Sequence, residues 1–523
     1  MTIKNVLEFS PEVLKRFVNF MNNPDERTAV DQFGRGDKYY GVAVMMVTMP
    51  GLPMFGHGQV EGLAEKYGME YRRSYWDEQV DQGMVHRHEN EIFPLMRRRR
   101  LFSGATNYAL YDFSTPDGWV DENVFAYSNR AGGECAIIMY NNAYNTTRGT
   151  IHTSTAINVG DGTQTVLVRR TLTEALGLDT SDNSFYAFRD YQSGLEYLRS
   201  GRQLAEQGLF AELHAYQYHA FLDFRNIHDS DGSWRELERR LNGAGVVSID
   251  EAYRELRVEP VLGPYRALMN PVVLREVLTD GQEAQEQVRA GMSNFCESVR
   301  RVTGASTLVE PLVQRFTTRW GILKSSQPVS GTKAKARKPK GEEAAWERLV
   351  TSELNHVGFA WLTLEALGEL RSDQESTPPR VLALARVDQW MLLKAIKEAF
   401  EGWLSDSDTA YWDARLVPIL LSHSGLLAPG KSRTLGESFK QALDSIAVRE
   451  YLQVNTYNNI LWLNKDRLER MMAALSLVAP LTVETGRSSK KKSLPDGRAG
   501  ARKILAAAEK AGYQVEKMLQ LLK

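Results

Sequence analysis

The sequence predicts a multidomain α+β protein: strand–helix units first, an antiparallel β-sandwich in the middle and an all-α region towards the C-terminus. Three observations support this class. Strands and helices alternate over residues 10–105, and short β-branched and aromatic runs separated by turn residues fill 107–224. After Trp234, long helical windows replace the strand pattern. A chain of 523 residues corresponds to about three to four domains of ordinary size.

Composition and charge exclude several classes of protein. Hydrophobic residues make up 43% and charged residues 25%, which is typical of globular proteins and excludes a disordered or fibrous chain. The net charge of −1 provides no overall attraction for nucleic acid or anionic lipid, so we expect no nucleic-acid partner. Cys135 and Cys296 are the only cysteines, which supports neither a disulfide framework nor a cysteine-based zinc site. We predict a cytoplasmic protein without a metal or other cofactor.

One stretch resembles a membrane span in its hydropathy. Residues 39–60 contain no charged side chain, but Pro50, Gly51 and Pro53 interrupt them. The backbone of a membrane span must satisfy its own hydrogen bonds, so this interrupted stretch is predicted as a helix, a tight turn and a short strand. The first 17 residues are charged and lack the apolar run of a signal peptide. We therefore expect neither export nor a membrane partner.

The first segment has the order of a parallel sheet. A strand ends at Met21, an apolar helix lies between Asp37 and Pro50, and Leu52–Phe55 forms the next strand. A long loop over 56–83 then leads to an amphipathic helix over 86–101. In the middle segment we expect strands at 108–113, 123–128, 135–140, 150–157, 164–168, 185–191 and 213–224, with a helical turn near 193–207.

Two short motifs of the first segment resemble the C-terminal part of a glycoside hydrolase of the α-amylase family. The first is Phe20-Met21-Asn22-Asn23-Pro24-Asp25-Glu26, and the second is Met49-Pro50-Gly51-Leu52-Pro53-Met54-Phe55. In that family the seventh barrel strand ends in Asn-His-Asp, the eighth strand follows a Pro-Gly-x-Pro turn, and an antiparallel domain follows the barrel. The resemblance covers residues 10–225 and implies a partial (β/α)8 barrel consisting of the last two βα units.

The resemblance also implies roles for individual residues. Asp25 would be the carboxylate that stabilises the transition state of a retaining α-glycosidase, and Asn23 would open the same motif. Pro24 stands where the family usually has a sugar-binding His. Glu61 corresponds most nearly to the acidic residue of the family's eighth-strand loop. The substrate implied is an α-glucan or oligosaccharide.

The loop after the second strand is rich in aromatic residues. It contains Tyr67, Tyr71, Tyr75 and Trp76 among charged side chains. Aromatic faces can stack on the C–H faces of sugar rings, and functional loops of barrels follow the strands, so we predict a glucan-binding platform. The alternative is that these aromatic residues anchor a long loop to its own domain.

Retaining cleavage of a glycosidic bond needs two carboxyl groups about 5 Å apart, a nucleophile and an acid/base. In this family both come from earlier strands, and only 16 residues precede Phe17. We therefore expect the chain alone to be inactive, because a missing N-terminal barrel portion, for instance a separate chain, would have to supply them. The alternative function is a non-catalytic glucan-binding or protein-interaction scaffold, because amphipathic helices joined by flexible basic linkers suit partner recognition.

Two clusters of charged residues are interpreted as parts of a helix surface and not as functional sites. His86, His88, Glu89 and Glu91 lack the two-His spacing of zinc hydrolases and are predicted to form a solvated first turn of a helix. Arg97–Arg100 spans more than one helical turn, so its side chains are predicted to be surface charges and ion pairs.

These inferences divide the chain into seven segments. We predict the C-terminal part of a (β/α)8 barrel over 1–105, an antiparallel β-sandwich over 106–230, a helical region over 231–323, a basic flexible linker over 324–342, a helical domain over 343–483, a basic linker over 484–500 and a C-terminal helix over 501–523.

Overall fold

The chain is a mixed α/β protein with antiparallel sheets and many helices, and it folds as two units, Met1–Leu256 and Arg257–Lys523. A computed structural model describes residues 2–66, 73–160, 164–279, 282–325, 346–427, 433–482 and 497–523. Within these ranges, no helix is both long enough and apolar enough to cross a lipid bilayer.

The first unit begins with short helices around a parallel pair of strands. The strands are β1 (Val18–Phe20) and β2 (Leu52–Met54). Val18 lies opposite Leu52, and Phe20 lies opposite Met54. The helices are α1 (Thr2–Phe9), α2 (Ala29–Phe33), α3 (Asp37–Thr48), α4 (Gln82–Arg87), α5 (Phe93–Arg97) and α6 (Arg99–Phe102), with a 3-10 turn over Pro11–Arg16 and a π-helical turn over His88–Ile92.

The β1–β2 pair leaves an apolar face exposed. Val18 and Phe20 on β1, and Leu52 and Met54 on β2, all have exposed side chains. Residues opposite each other in register share one face of the sheet, so the four side chains form a single patch. We call these four residues the open sheet face. Parallel sheets normally bury both faces, which makes this exposure unusual.

An antiparallel sheet of six strands follows, in the order β10-β9-β12-β5-β4-β3. Its strands are β3 (Ala109–Tyr111), β4 (Val124–Ala131), β5 (Glu134–Asn141), β9 (Ser184–Asp190), β10 (Glu196–Ser200) and β12 (Tyr218–His228). Two strand pairs accompany it, β6 (Thr147–Ile151) with β11 (Leu209–Leu213), and β7 (Ile157–Asn158) with β8 (Leu167–Val168). The connecting helices are α7 (Leu172–Leu176), α8 (Gly201–Gln207) and α9 (Ser233–Leu241).

Both faces of this sheet are buried. Alternate residues such as Ile138 and Tyr140 join the core that contains α3, whereas Ile137 and Met139 pack in the core that contains β6 and β11. The alternation follows from the two-residue period of a strand. Gly41 of α3 lies so close to the sheet that a Cβ there would come within 1.9 Å of the Tyr140 ring. Only glycine fits without displacing that buried ring.

The predicted strands of the first unit are confirmed in part. The predicted strand 213–224 contains the turn between β11 and β12, and the predicted strand 150–157 extends beyond β6, which ends at Ile151. The segment near 193–207 is not a helical turn throughout, because β10 occupies Glu196–Ser200 and helix α8 starts only at Gly201. Tyr197 and Arg199 alternate with Leu198, which is buried, and the strand pairs with β9. This alternation is a strand signal that the helical interpretation overlooked.

Arg99 holds the turn that precedes β2. Its Nη1 donates to the carbonyl oxygen of Val47 at 2.8 Å, and its Nη2 donates to those of Met49, at 3.1 Å, and Gly51. Burial lowers the pKa of its guanidinium. The interpretation of Arg97–Arg100 as surface charges is therefore wrong for Arg99, which caps the end of α3.

Replacing Arg99 by Met is expected to lower the free energy of unfolding of the first unit by about 2 kcal/mol, because three carbonyl groups lose a charged donor. Urea denaturation followed by circular dichroism measures this. Arg100→Met is the matched control, since Arg100 is exposed and its loss should change stability by less than about 0.5 kcal/mol. Equal effects of the two substitutions would contradict the role of Arg99.

The second unit consists mainly of helices. In chain order they are α10 (Ile249–Leu268), which starts in the first unit, α11 (Pro271–Thr279), α12 (Gln282–Thr303), α13 (Val309–Ser325), Asn355–Glu365, Pro379–Gln389, Leu392–Trp403, Ser407–His423, Leu435–Leu443, Ile446–Tyr451, Lys465–Val478, Gly497–Lys510 and Val515–Leu521, with short π or 3-10 turns at Leu349–Glu353, Ala366–Gly368 and Ala479–Leu481.

The prediction of an all-α C-terminal region is wrong at one hairpin. Strands β13 (Asn455–Tyr457) and β14 (Ile460–Trp462) pair antiparallel inside the predicted helical domain over 343–483. Asn458 and Asn459 connect them with φ values of 49° and 59°. Two consecutive left-handed residues form the tight turn that matches the twist of a hairpin, and Asn tolerates that conformation.

The predicted basic linkers lie mostly outside the described residues. At their edges, Lys324 and Ser325 belong to α13, and residues 497–500 belong to the helix Gly497–Lys510. The chain beyond 500 forms two helices rather than one. The predicted domain boundaries within each unit stay predictions.

A buried charged triad lies in the core of the second unit. Asp413 is fully buried and accepts a hydrogen bond from Nε2 of His356 at 2.8 Å. The same carboxylate accepts two hydrogen bonds from the guanidinium of Arg470. Burial by itself would raise the pKa of Asp413, but these hydrogen bonds outweigh it and lower the pKa.

Candidate functional site

The candidate site lies where β1 and β2 end. Because the two strands are parallel, the segments that follow them leave the sheet at the same edge. A cavity of about 170 Å³ opens there, and both segments contribute to its lining. The lining residues are Asn22, Asn23, Pro24, Glu26, Thr28, Met54, Phe55, Gly56, His57 and Lys66.

The predicted residues Asn23 and Asp25 share a tight turn at this edge. Oδ1 of Asn23 accepts hydrogen bonds from the backbone N–H of Asp25 at 2.9 Å and of Glu26 at 3.1 Å. Nζ of Lys66, from the loop after β2, donates to the carbonyl oxygen of Asp25 at 2.9 Å. Asp25 is exposed and is not among the residues that line the cavity. The main-chain bonds hold its backbone beside the cavity, and its carboxylate is accessible to solvent.

Asn22 and Gly56 bring the two segments into close contact. Asn22 is buried, and its Oδ1 has no hydrogen-bond partner among the described residues. A Cβ on Gly56 would lie 2.5 Å from that oxygen, so only glycine allows this approach. Asn22 was not among the predicted site residues, although its position directly after a strand was a signal for it.

Gln59 connects the same two segments from the interior. Its Oε1 accepts a hydrogen bond from the backbone N–H of Gly56 at 2.9 Å, and its Nε2 lies 3.2 Å from Sδ of Met21. The hydroxyl of Tyr39 lies 2.9 Å from the carbonyl oxygen of Gln59, to which it can donate. Gln59 is buried, so it stabilises the edge rather than contacting a ligand.

His88 is fully buried behind this edge, so the prediction of a solvated helix start is wrong for it. Its Nδ1 donates to the carbonyl oxygen of Met84 at 2.8 Å, and its Nε2 lies 3.0 Å from the hydroxyl of Tyr39. Burial lowers the pKa of His88 and raises that of Tyr39. The helical spacing of Met84, His88, Ile92 and Leu95 was the signal that could have identified this buried face.

Glu61 is half-buried in the turn after β2, on the side of Tyr39 and His88. Its negative charge adds to the raised pKa of Tyr39 and partly opposes the lowered pKa of His88. Its carbonyl oxygen accepts a hydrogen bond from the backbone N–H of Asp81 at 2.9 Å. Glu61 is not among the residues that line the 170 Å³ cavity.

Two carboxylates shape the aromatic loop. Glu78 accepts hydrogen bonds from the backbone N–H groups of Ala64 and Glu65 at 2.7 and 2.8 Å. Glu65 in turn accepts from those of Tyr75 and Trp76 at 2.7 and 3.1 Å. The side chains of Tyr75 and Trp76 are 65% and 58% exposed.

The structure therefore connects some predicted site residues and separates others. Lys66 donates a hydrogen bond to Asp25, and the preceding residue, Glu65, accepts hydrogen bonds from the backbone of Tyr75 and Trp76. These bonds connect the Asp25 turn with the aromatic loop. Glu61 lies on the side of Tyr39 and His88 and does not line the cavity. Tyr67 and Tyr71 lie outside the described residues. Within the described ranges, no group of three or more His, Cys, Asp or Glu side chains is arranged to hold a metal ion.

Comparison with known proteins gives partial structural similarity to α-amylase-family enzymes. No protein-family model and no curated protein sequence matches the chain. The α-amylase of Geobacillus thermoleovorans, solved with acarbose, is 13% identical with a TM-score of 0.27, and the similarity covers 43% of this chain and 47% of that one.

Two further solved structures are similar to the same extent. The debranching enzyme of Nostoc punctiforme, soaked with acarbose, is 14% identical with a TM-score of 0.27, covering 42% of this chain and 36% of that one. An Anoxybacillus α-amylase is 14% identical with a TM-score of 0.26, covering 42% and 39%. The chain thus spans less than half the length of each of these three enzymes.

Proposed function

We propose that the first unit is the C-terminal portion of a carbohydrate-active enzyme that acts on α-glucans by a retaining mechanism. In this proposal, residues 1–105 are the last two βα units of a (β/α)8 barrel, and residues 106–230 are an antiparallel β-sandwich. The observation that carries the proposal is the parallel pair β1–β2, with the Asn23–Asp25 turn and the aromatic loop both at its carboxyl edge. Active sites of barrel enzymes are built at that edge.

Each residue then has a chemical role. Asp25 stabilises the positive charge that develops on the sugar ring in the transition state. Asn23 and Glu61 provide polar groups for sugar hydroxyls, and Tyr71, Tyr75 and Trp76 provide ring faces for sugar C–H groups. The nucleophile and the acid/base come from other barrel strands, so the chain is inactive by itself.

The open sheet face supports the need for further barrel units. Its four residues, Val18, Phe20, Leu52 and Met54, are bulky and apolar, like the side chains that fill the interior of a barrel. In addition, the outer side of each strand in a two-stranded sheet is a template for pairing with another strand. We infer that the remaining strand–helix units, from a missing N-terminal portion or a separate chain, cover this face and close the barrel.

Complementation tests this function. The full chain is co-expressed with a polypeptide that carries the first six strand–helix units of an α-amylase-family barrel, and release of reducing sugar from maltoheptaose is measured. We expect no release by the chain alone and hydrolysis by the co-purified pair. Leu52→Glu should prevent association, because Leu52 is 64% exposed on the open sheet face and contributes little to the stability of the chain itself.

Val247→Glu is the matched control, since Val247 is an exposed aliphatic residue outside this face. A pair that associates equally well with either substitution would contradict the role of the open sheet face. Failure of every such pair to hydrolyse α-glucans would contradict the enzymatic proposal.

A second candidate function is α-glucan binding without turnover. It is favoured by Pro24, which replaces the sugar-binding His of the family at the centre of the motif. An associated pair that binds maltoheptaose but releases no sugar would support this candidate over the first.

A further inference from the structure

We infer that the first unit carries a second ligand site, a cleft on the antiparallel sheet that binds a neutral oligosaccharide. The cleft has a volume of about 750 Å³ and lies between β10, helix α8, β11 and the end of α9. None of the residues proposed above for the Asp25 site lines it. We call it the β10–β11 cleft.

Aromatic rings form part of its wall. Tyr197 is half-buried and stacks on Phe188, with centroids 5.9 Å apart and planes 16° apart. Phe221 meets Tyr197 edge-on at 5.6 Å. Phe210 of β11 is 54% exposed at the cleft. The cleft therefore offers apolar ring surface to the C–H groups of a pyranose.

The arginines of the cleft are already paired. Arg202 pairs with Asp182 and Arg239 pairs with Glu236, and neither carboxylate lines the cleft. Arg199 donates to two carbonyl oxygens and lies near the negative charge of Glu238. These pairings disfavour an anionic ligand and favour one that offers hydroxyl groups instead of negative charge.

Several polar groups in the cleft are available to a ligand. The side chains of Glu206, Glu212 and Asn242 are exposed and have no hydrogen-bond or ion-pair partner among the described residues. Carboxylate and amide groups of this kind accept hydrogen bonds from hydroxyls, and the Asn amide also donates. A ligand with several hydroxyl groups can form hydrogen bonds with these side chains while its C–H groups contact the aromatic rings.

Hydrogen bonds of Arg199 and His219 hold the cleft in shape before any ligand binds. Arg199 donates to the carbonyl oxygens of Leu198 and Gly243, both at 2.8 Å. The ring of His219 lies between the buried carboxylate of Asp190, 3.0 Å from its Nδ1, and the carbonyl oxygen of Glu212, 3.2 Å from its Nε2. A wall that is already ordered lowers the entropic cost of binding.

The neutral oligosaccharide follows from the lining of the cleft, whereas the choice of an α-glucan rests on the proposed function. Maltoheptaose is therefore the first probe, and cellohexaose is the comparison. Isothermal titration uses the full chain with the background substitution Trp76→Ala, which removes the exposed ring proposed to bind glucan in the aromatic loop.

We expect maltoheptaose to bind, and Phe210→Ala to weaken its affinity by about tenfold because a ring face is lost. Phe210 is largely exposed, so the variant should stay folded, which circular dichroism checks. Trp119→Ala is the matched control, since Trp119 is an exposed aromatic residue of the same unit outside the cleft, and it should not change the affinity.

Absence of binding by either glycan, or equal affinities with and without Phe210, would overturn the inferred site. Binding of cellohexaose alone would overturn the choice of an α-glucan. The complementation assay measures hydrolysis by the associated pair, whereas the titration measures binding by this chain alone, so failure of one proposal is distinguishable from failure of the other.

Discussion

Asp25→Asn is expected to lower the kcat of the complemented enzyme for maltoheptaose by about 10²–10³-fold, because a charge that stabilises the transition state is worth about that much. The fold should be unaffected, since the described hydrogen bonds of Asp25 use its backbone N–H and carbonyl oxygen rather than its carboxylate. The carboxylate contributes mainly as positive charge develops on the sugar ring, so KM should change little.

Asp31→Asn is the matched control for this experiment. Asp31 is an exposed carboxylate on α2, six residues further along the chain and outside the turn that contains Asn23 and Asp25. Its loss should leave kcat unchanged. If Asp25→Asn has no larger effect than Asp31→Asn, Asp25 does not stabilise the transition state.

The second large effect is expected in the second unit. Asp413→Ala removes the partner of both Arg470 and His356 and leaves the partly buried guanidinium of Arg470 without its carboxylate. Breaking a buried ion pair in this way costs about 3–5 kcal/mol. Hydrogen exchange of the helix Asn355–Glu365, measured by mass spectrometry, should be correspondingly faster.

Asp408→Ala provides the control, because Asp408 precedes Asp413 in the same helix and its side chain is 74% exposed. Its ion pair with Arg467 is a surface pair that contributes at most about 1 kcal/mol. Exchange rates that rise equally in the two variants would show that the triad does not stabilise the core of this unit.

The triad also predicts a dependence on pH. The pKa of Asp413 is lower in the folded chain than the ordinary value of about 3.9. Its contribution to stability is therefore present above that ordinary value and is lost as the pH falls through the lowered, folded pKa. The wild-type second unit should lose stability below about pH 4 more steeply than the Asp413→Ala variant.

Local sequence patterns were sufficient for most elements. The charge-free stretch over 39–60 is α3, a turn at Gly51 and the strand β2, as the prolines and glycines predict. The short runs rich in β-branched and aromatic residues in the middle segment predict β4, β5 and β9 within a few residues. These elements depend on periodicity and turn chemistry within one segment, which a single sequence records.

Two of the errors are missed strands. The hairpin at Asn458 and Asn459 interrupts the predicted helical domain, and β10 occupies part of a segment interpreted as a helical turn. Both strands pair with a neighbour that is close in the chain. Their local signals, the two asparagines of the turn and the alternation of β10, compete with a helical pattern that strand pairing overrides.

The sequence by itself determined the order of strands and helices in the first unit, the strand-end motif that contains Asp25, and the absence of an overall charge that would attract nucleic acid. Only the tertiary structure decided that Arg99 rather than Arg100 is held by carbonyl groups, and that His88 is buried. The physical reason is that a helix or strand forms from neighbours in the chain, whereas burial and pairing depend on segments that are distant in the chain and meet only when it packs.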